Sequence, residues 1–597
     1  MPSSLDALPA AFAPATRTWF SGAFPAATPA QVDAWAAISQ GQHTLVIAPT
    51  GSGKTLAAFL HAIDQLFTER DQQARTGLLP QRGTTRVLYI SPIKALGADV
   101  QRNLQVPLQG VRAERARRGD PDVDLSVAIR SGDTTASERA RLARRPPDIL
   151  ITTPESLFLM LTSNVRDTLR HVHTVIIDEI HAVAGSKRGT HLALSLERLE
   201  NLLQAPAQRI GLSATVRPVD EVARFLGGGR AVSVVQPPSS RQLAMRIVVP
   251  VEDMADLPTQ GAGSGAGESS TRVGSIWPHV EASILEEVLR WRSTIVFANS
   301  RGVAEKLTAR LNALYAERLE TDAGGGASGQ RDPTAFSSFN GGTAGRSTGA
   351  EPLLARSHHG SVSKEQRREI EEALKSGALR CVVATSSLEL GIDMGLVDLV
   401  IQVAAPPSVA SALQRVGRAG HQVGGISTGF VYPRTRRDLI DAAVIVDSML
   451  AGRIEALDPP RNPLDVLAQQ TVAAVAMDAL DVEDWYACVR RAAPYRELPR
   501  SAFDAVLDML AGRYPSDDFA GFRPRLVWNR DSGKLTARPG ARQLAVTSGG
   551  TIPDRGMFSV VLPEGEERAG SRRVGELDEE MVHESRVNYV ITLGATS

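Results

Sequence analysis

Cysteine is nearly missing from this sequence: Cys381 and Cys488 are the only two in 597 residues. So few thiols, so far apart, exclude a disulfide framework or a thiolate metal cluster. Both are read as small core residues in a reducing, cytoplasmic setting. A surplus of either charge is also lacking, since 66 Lys+Arg face 66 Asp+Glu. That balance excludes a protein that coats nucleic acid by bulk charge, though not one with a local basic groove. No apolar run approaches the roughly 18 residues a membrane span requires. The N-terminus has no basic stretch leading into a long apolar run, so no signal peptide is expected. What is present is ordinary for a soluble protein, with 43% hydrophobic and 22% charged residues. The length corresponds to three or four domains of about 150 residues each.

Short apolar runs alternate with amphipathic stretches through the first two thirds of the chain. Strands are expected at Thr44–Ala48, Arg86–Ile90, Asp148–Thr152, Thr174–Asp178 and Arg209–Ser213, and again at Ser293–Phe297, Arg380–Ala384 and Leu399–Val403. Helices are expected between them, as at Thr55–Phe67 and His191–Gln204. The alternation predicts parallel sheets covered by helices, with ligands at the carboxyl ends of the strands. The fold class is therefore α/β. The expected domains are a first at 1–254, a Gly/Ser-rich linker at 255–274, and a second at 275–440 interrupted by a low-complexity insertion at 322–350. Helical periodicity then takes over at Asp438–Leu450, Pro463–Ala479 and Arg500–Arg513, with short strands expected at Arg525–Trp528 and Gln543–Thr547. Helices followed by a small hairpin predict a winged-helix domain over 441–548. Strand-like pieces at Gly556–Leu562 and Val587–Leu593 predict the start of a β-rich module over 549–597, one that continues beyond Ser597.

Three segments carry chemistry. Ala48-Pro-Thr50-Gly51-Ser52-Gly53-Lys54-Thr55 follows a strand and opens a helix. In that context glycines let backbone N–H groups curl around phosphate oxygens at a helix N-terminus. Lys54 reaches the β and γ phosphates of ATP and the Thr55 hydroxyl ligates Mg2+. In Val175-Ile-Ile-Asp178-Glu179-Ile-His181 an apolar strand delivers adjacent carboxylates. Asp178 is read as the Mg2+ partner and Glu179 as the general base toward water. In Gln414-Arg415-Val-Gly417-Arg418-Ala-Gly420-His421 the two arginines are expected on one helix face, pointing at the γ-phosphate across a cleft. A solvated arginine pair is the plainer alternative.

These segments, in this order, resemble motifs I, II and VI of superfamily 2 helicases. The smaller motifs fall between and around them. Phe24-Pro25, Thr28-Pro29 and Gln31 resemble the adenine-reading Q motif, with the Gln31 amide as paired donor and acceptor. Pro92 and Lys94, Arg130, Gly132 and Asp133, and Thr153-Pro154-Glu155 resemble strand-gripping motifs. Ser213-Ala-Thr215 resembles motif III, Phe297-Ala-Asn299-Ser300-Arg301 motif IV, and the stretch from Thr385 and Ser387 through Glu389 to Gly391 and Asp393 motif V, which touches phosphates and nucleotide. His358-His359-Gly360, Lys187-Arg188-Gly189, Thr551-Ile-Pro-Asp554-Arg555-Gly556 and the acidic run from Gly575 to Arg586 narrow the resemblance to the bacterial large helicase-related family, Lhr. That resemblance implies two tandem RecA-like domains, then a winged helix and a β-rich module. It also implies ATP hydrolysis dependent on nucleic acid, 3′ to 5′ movement on single-stranded DNA, unwinding of DNA or RNA:DNA duplexes, and a place in DNA repair.

ATP would then sit between the two α/β domains, with the nucleic acid across their other edge, gripped through phosphates and so without regard to sequence. Trp277 or Trp528 could stack on a base, although a lone Trp is more often core. His358 and His359 have no Cys or further His nearby and are read as a loop at the nucleic-acid or inter-domain surface. Two alternatives stay open: an RNA helicase, which uses the same motifs, and a non-catalytic nucleic-acid-binding scaffold. The intact Lys54, Glu179 and Arg418 argue against the scaffold. Oligomeric state is not legible.

Overall fold

The computed structural model describes residues 11–49, 51–76, 84–238, 242–254, 257, 275–322, 353–360, 362, 364–389, 391, 394–420, 425–513, 523–551, 557–561 and 573–578. The chain forms two compact units, one of Met1–Val249 with Leu388–Thr551, the other of Pro250–Ser387 with Ile552–Ser597. Among the described residues no helix is long and apolar enough to cross a membrane.

The first unit is built on a seven-stranded parallel sheet: β1 (His43–Ile47), β2 (Val87–Ile90), β3 (Val127–Arg130), β4 (Ile149–Thr152), β5 (Thr174–Ile177), β6 (Gln208–Ser213) and β7 (Val232–Val235). Their spatial order is β3-β4-β2-β5-β6-β1-β7. The central strands are continuous apolar runs because helices cover both faces; Val87-Leu-Tyr-Ile is buried at every position. The two strands that apolar patterning does not predict, β3 and β7, are the sheet's edges, where burial is only partial. Register aligns the carboxyl ends: Arg130 pairs with Thr152, Thr152 with Ile90, Ile90 with Ile177, and Ser213 with Ile47.

The same unit holds a parallel set in the order Leu399–Val403, Ile426–Tyr432, Gln242–Ile247. Gln242–Ile247 falls within 1–254 by sequence, yet its hydrogen bonds go to Ile426–Tyr432. Helices Leu464–Val475, Val482–Arg491 and Arg500–Ala511 and the antiparallel strands Leu526–Asn529 and Lys534–Ala537 then form the winged-helix arrangement.

One expected strand is wrong. Gln543–Thr547 belongs to a helix, Ala541–Thr547, and the hairpin's second strand is Lys534–Ala537. Gly540, at φ 85°, breaks the extended path, and Ala541 and Ala545 are buried one helical turn apart. The winged-helix core is continuous with that of the first sheet: Leu467, Cys488, Tyr495 and Phe503 cluster with Leu192, Leu196 and Leu199 of helix Lys187–Leu202. Cys381 and Cys488 are buried core residues, their thiols pushed up by burial to about 12 and about 11.

In the second unit, strands Ala355–His358, Cys381–Ala384 and Thr294–Phe297 run parallel in that order, with helices Trp277–Arg290, Arg301–Asp322 and Lys364–Ser376. Met557–Val561 and Arg573–Asp578 form an antiparallel hairpin. The expected strand at Val587–Leu593, most of the expected linker and all but the first residue of the expected insertion lie outside the described residues.

Candidate nucleotide and nucleic-acid site

The loop after β1 takes the shape a phosphate site requires. Gly51 and Gly53 lie at φ 84° and 79°, conformations open to glycine and strained for other residues. Gly53 directly precedes helix Lys54–Arg75, whose first N–H groups face the loop. A Cβ on Gly53 would come within 2.4 Å of the Gln31 amide nitrogen. The Gln31 amide nitrogen donates to the Gly53 carbonyl at 3.3 Å, while its oxygen accepts from the Thr28 N–H at 3.0 Å. One donor and one acceptor of that amide remain for a base edge. The Thr28 hydroxyl adds a bond to the Ser52 carbonyl at 2.8 Å. Phe24, 36% exposed, stacks 5.0 Å from the Phe20 ring beside the same segment. Thr50 lies outside the described residues; Thr55 is the second residue of the helix.

Lys54 is buried and crosses to the tip of β6, donating to the Ser213 carbonyl at 3.1 Å. At the tip of β5, Asp178 accepts from the Tyr89 hydroxyl and from the Glu179 N–H, the latter at 2.8 Å. Burial, with Glu179 beside it, holds the Asp178 carboxyl above its ordinary range. Burial would do the same to Glu179, but Lys54, then His181 and Arg418, together with the Gly391 N–H, outweigh it and keep Glu179 ionised. Glu179 sits at φ 43°, a left-handed conformation rare outside glycine and a form of strain found at functional sites. A hydroxyl at the start of the helix after the loop (Thr55) and a buried carboxylate (Asp178) are donor types that fit Mg2+, which binds through one or two carboxylates and completes its shell with phosphate and water. Among the described residues no three His, Cys, Asp or Glu side chains group to hold a metal by themselves.

His181 joins three motifs. Its Nδ1 accepts from the Ala214 N–H at 3.2 Å and lies 3.2 Å from the Ser213 hydroxyl. Its Nε2 lies 2.7 Å from the Gln414 side-chain amide. Burial lowers the imidazole's pKa, and the neighbouring Glu179 carboxylate opposes that shift.

The expectation for the arginine pair needs correcting. Helix Val409–Val416 ends before Arg418, so the two side chains do not share a helix face. Arg415 is buried and turned toward its own domain, donating to Glu389 at 3.0 and 3.1 Å and to Gln402 at 2.8 Å. Arg418 donates to the Glu389 carbonyl at 2.8 Å and is the member of the pair whose charge acts on Glu179. Gly391 reaches the same carboxylate, since a Cβ there would lie 2.9 Å from it. Asp393 lies outside the described residues.

The remaining candidates fall on neighbouring strand tips. In the first unit these are β2, β4 and β3: buried Pro92, the exposed Lys94–Asp133 ion pair with Gly132 beneath it, and half-buried Arg130. Burial, then Arg139, lowers Arg130 from its ordinary value. Thr153 caps helix Pro154–Leu161 through the Ser156 N–H, and Glu155 pairs with Arg188. In the second unit Ser300 accepts from the Val303 N–H at 3.3 Å and Arg301 opens the helix Arg301–Asp322. His359 pairs with Glu305, the Thr385 N–H reaches the His358 carbonyl at 3.3 Å, and the Ser387 hydroxyl donates to that carbonyl at 2.8 Å. Trp528 is covered by the Arg530 guanidinium, 3.2 Å from its ring centre, and Trp277 is half-buried.

Tyr89, Glu389, Gln402 and His181 are site residues that motif reading did not assign a role. His181 and Glu389 lie inside the motif II and motif V segments, and Tyr89 leaves a signal of its own, a hydroxyl in the middle of a fully apolar strand, which must find a partner.

Comparison with known proteins agrees with this layout. Residues 28–222 match the DEAD/DEAH box helicase family, 347–422 the helicase conserved C-terminal domain, and 447–597 the winged-helix domain of large helicase-related proteins. The chain is 67% identical over 596 residues to an Escherichia coli protein described as Lhr helicase/uracil glycosylase, covering 100% of this chain and 38% of that protein. A Mycolicibacterium smegmatis protein described as Lhr helicase/probable uracil glycosylase is 58% identical, with coverage of 98% and 37%. This chain thus spans well under half the length of either relative. The solved structure of Mycobacterium smegmatis helicase Lhr bound to ssDNA and AMP-PNP superposes with TM-score 0.79 at 55% identity, covering 98% of this chain and 66% of that one.

Proposed function

Because the chain belongs to the large helicase-related family, we propose that it is a nucleic-acid-dependent ATPase that moves 3′ to 5′ along single-stranded DNA and unwinds DNA or RNA:DNA duplexes. The observation that carries this reading is the convergence on one buried carboxylate. Lys54, the Gly391 N–H, His181 and Arg418, drawn from four motifs, all act on Glu179. A carboxylate held ionised at a strand tip is suited to take the proton of an attacking water.

In this reading the loop N–H groups and Lys54 hold the β and γ phosphates, and Lys54 exchanges the Ser213 carbonyl for them. Thr55 and Asp178 hold Mg2+, which when bound neutralises phosphate charge. Arg418 balances the charge that builds on the transferred phosphoryl group. His181 links the base's loop to Ser213-Ala214 and to Gln414, so hydrolysis and movement share one hydrogen-bonded path. Lys94, Arg130, Thr153, Ser300, Arg301, His359, Thr385 and Ser387 grip the strand's phosphates. A role in DNA repair is supported by the base-removal activity in the names of the two longer relatives.

The test is ATP turnover with single-stranded DNA, with RNA and with buffer alone. Stimulation by DNA is expected. Stimulation by RNA only makes the protein an RNA helicase, and no turnover under any condition makes it a scaffold.

A further inference from the structure

Residues 453–463 run without regular structure from helix Arg436–Leu450 to the first helix of the winged-helix module, Leu464–Val475. This strap touches three elements that carry nucleotide-site residues, each away from the site itself. The Glu455 carboxylate accepts from the Val409 N–H at 2.6 Å and from the Ala410 N–H at 3.1 Å. Those are the first N–H groups of helix Val409–Val416, the element that carries Gln414 and Arg415 and leads into Arg418. The Leu457 N–H donates to the Arg217 carbonyl at 2.6 Å, just beyond Ser213-Ala-Thr215. The Leu457 side chain presses on Gly185, where a Cβ would lie 2.8 Å from it. Gly185 closes the short helix that begins at His181. At its far end the strap is tied into the winged-helix module, through the Asn462 N–H to the Pro494 carbonyl at 3.0 Å and the Tyr495 hydroxyl to the Pro463 carbonyl at 2.8 Å.

Helix stability alone does not call for Glu455. Ser408 already caps the helix from within, accepting from the Ser411 N–H at 3.0 Å. What Glu455 adds is a charge-assisted tie, favoured by the helix's positive end, from a segment 46 residues further on. Carboxylate and leucine together place motif VI, the turn after motif II and the end of motif III on one short piece of chain anchored in the winged helix.

We propose that Glu455 and Leu457 are positioning residues that couple the winged-helix module to the hydrolysis site, so that nucleic acid engaged by that module sets where Gln414 and Arg418 stand relative to Glu179. This rests on the ATPase reading above. The full chain carrying Glu455→Ala, Leu457→Ala or both is assayed for ATP turnover with and without saturating single-stranded DNA, alongside melting temperature. Each single variant loses about tenfold in DNA-stimulated kcat, within the usual range for coupling between sites. Unstimulated kcat and KM for ATP stay at wild-type values, while melting temperature stays at the wild-type value for Glu455→Ala and falls by a few degrees for Leu457→Ala, whose side chain packs against the core. The double variant loses no more than either single one, since one link is cut. Glu455→Gln, whose amide oxygen still accepts from an N–H, recovers most of the rate. Equal proportional losses with and without DNA, unchanged stimulation in the variants, or multiplying losses in the double variant overturn the strap alone. A wild-type chain unstimulated by DNA overturns the ATPase reading as well.

Discussion

At the tips of β5 and β1, Asp178, Glu179 and Lys54 are 5–7% exposed and hydrogen-bonded among themselves and their neighbours. One and three strands beyond β5 in the same sheet, at the tips of β2 and β3, Lys94 and Asp133 pair with side chains 53% and 51% exposed. The contrast separates two kinds of charged site. Buried charges cannot borrow water when a partner is lost, so the first set is held in place before any ligand arrives. An exposed ion pair contributes about 1 kcal/mol or less, so Lys94 can exchange Asp133 for a passing phosphate at little cost. On the proposed reading, chemistry is placed where charges are rigid and grip where they are exchangeable, as release of each phosphate in turn would require.

That contrast can be broken from its stiff side first. Glu179→Gln keeps the shape and removes the charge; kcat for ATP hydrolysis falls about 10³-fold, the scale of a lost general base, while ATP affinity measured by equilibrium binding changes little. Arg415→Ala separates the two arginines. It strands Glu389, whose side chain is 16% exposed, and lowers stability in urea unfolding by about 3 kcal/mol, as loss of one partner of a buried pair does. Arg418→Ala, in contrast, acts on turnover, because Arg418 is the arginine whose charge reaches Glu179. Gly391→Ala places a methyl within 2.9 Å of the Glu179 carboxylate; displacing that group by a few tenths of an ångström lowers kcat about tenfold. The exchangeable side gives the smallest effect. Lys94→Ala raises the Kd for single-stranded DNA about fivefold and reduces the slope of log K against log salt by about 0.7, one phosphate's worth. Asp133→Asn, which releases Lys94 from its partner, moves Kd the other way.

The strand-tip motifs are readable in sequence because each is a local event. A glycine-rich turn after an apolar run, or a pair of carboxylates at the end of one, needs no distant partner to be recognised. The central strands are readable because burial on both faces leaves an uninterrupted apolar run. The edge strands β3 and β7 are not, since half-buried edges carry a mixed pattern, and Gln543–Thr547 has an apolar alternation that a helix with buried alanines uses equally well.

By itself, then, the sequence determined which residue types stand at the strand tips, which carboxylate follows which strand, and that helices and a hairpin come after two α/β domains. Only the tertiary structure decided which partner each polar group takes: Arg415 with Glu389 and Gln402, Tyr89 with Asp178, His181 with Gln414 across 233 positions of chain, and Glu455 on the end of a helix it does not belong to. The reason is physical. A buried donor or acceptor must be satisfied by whatever packing brings within about 3 Å, and for groups far apart in the chain that neighbour is set by how helices and sheets stack, not by the residues on either side.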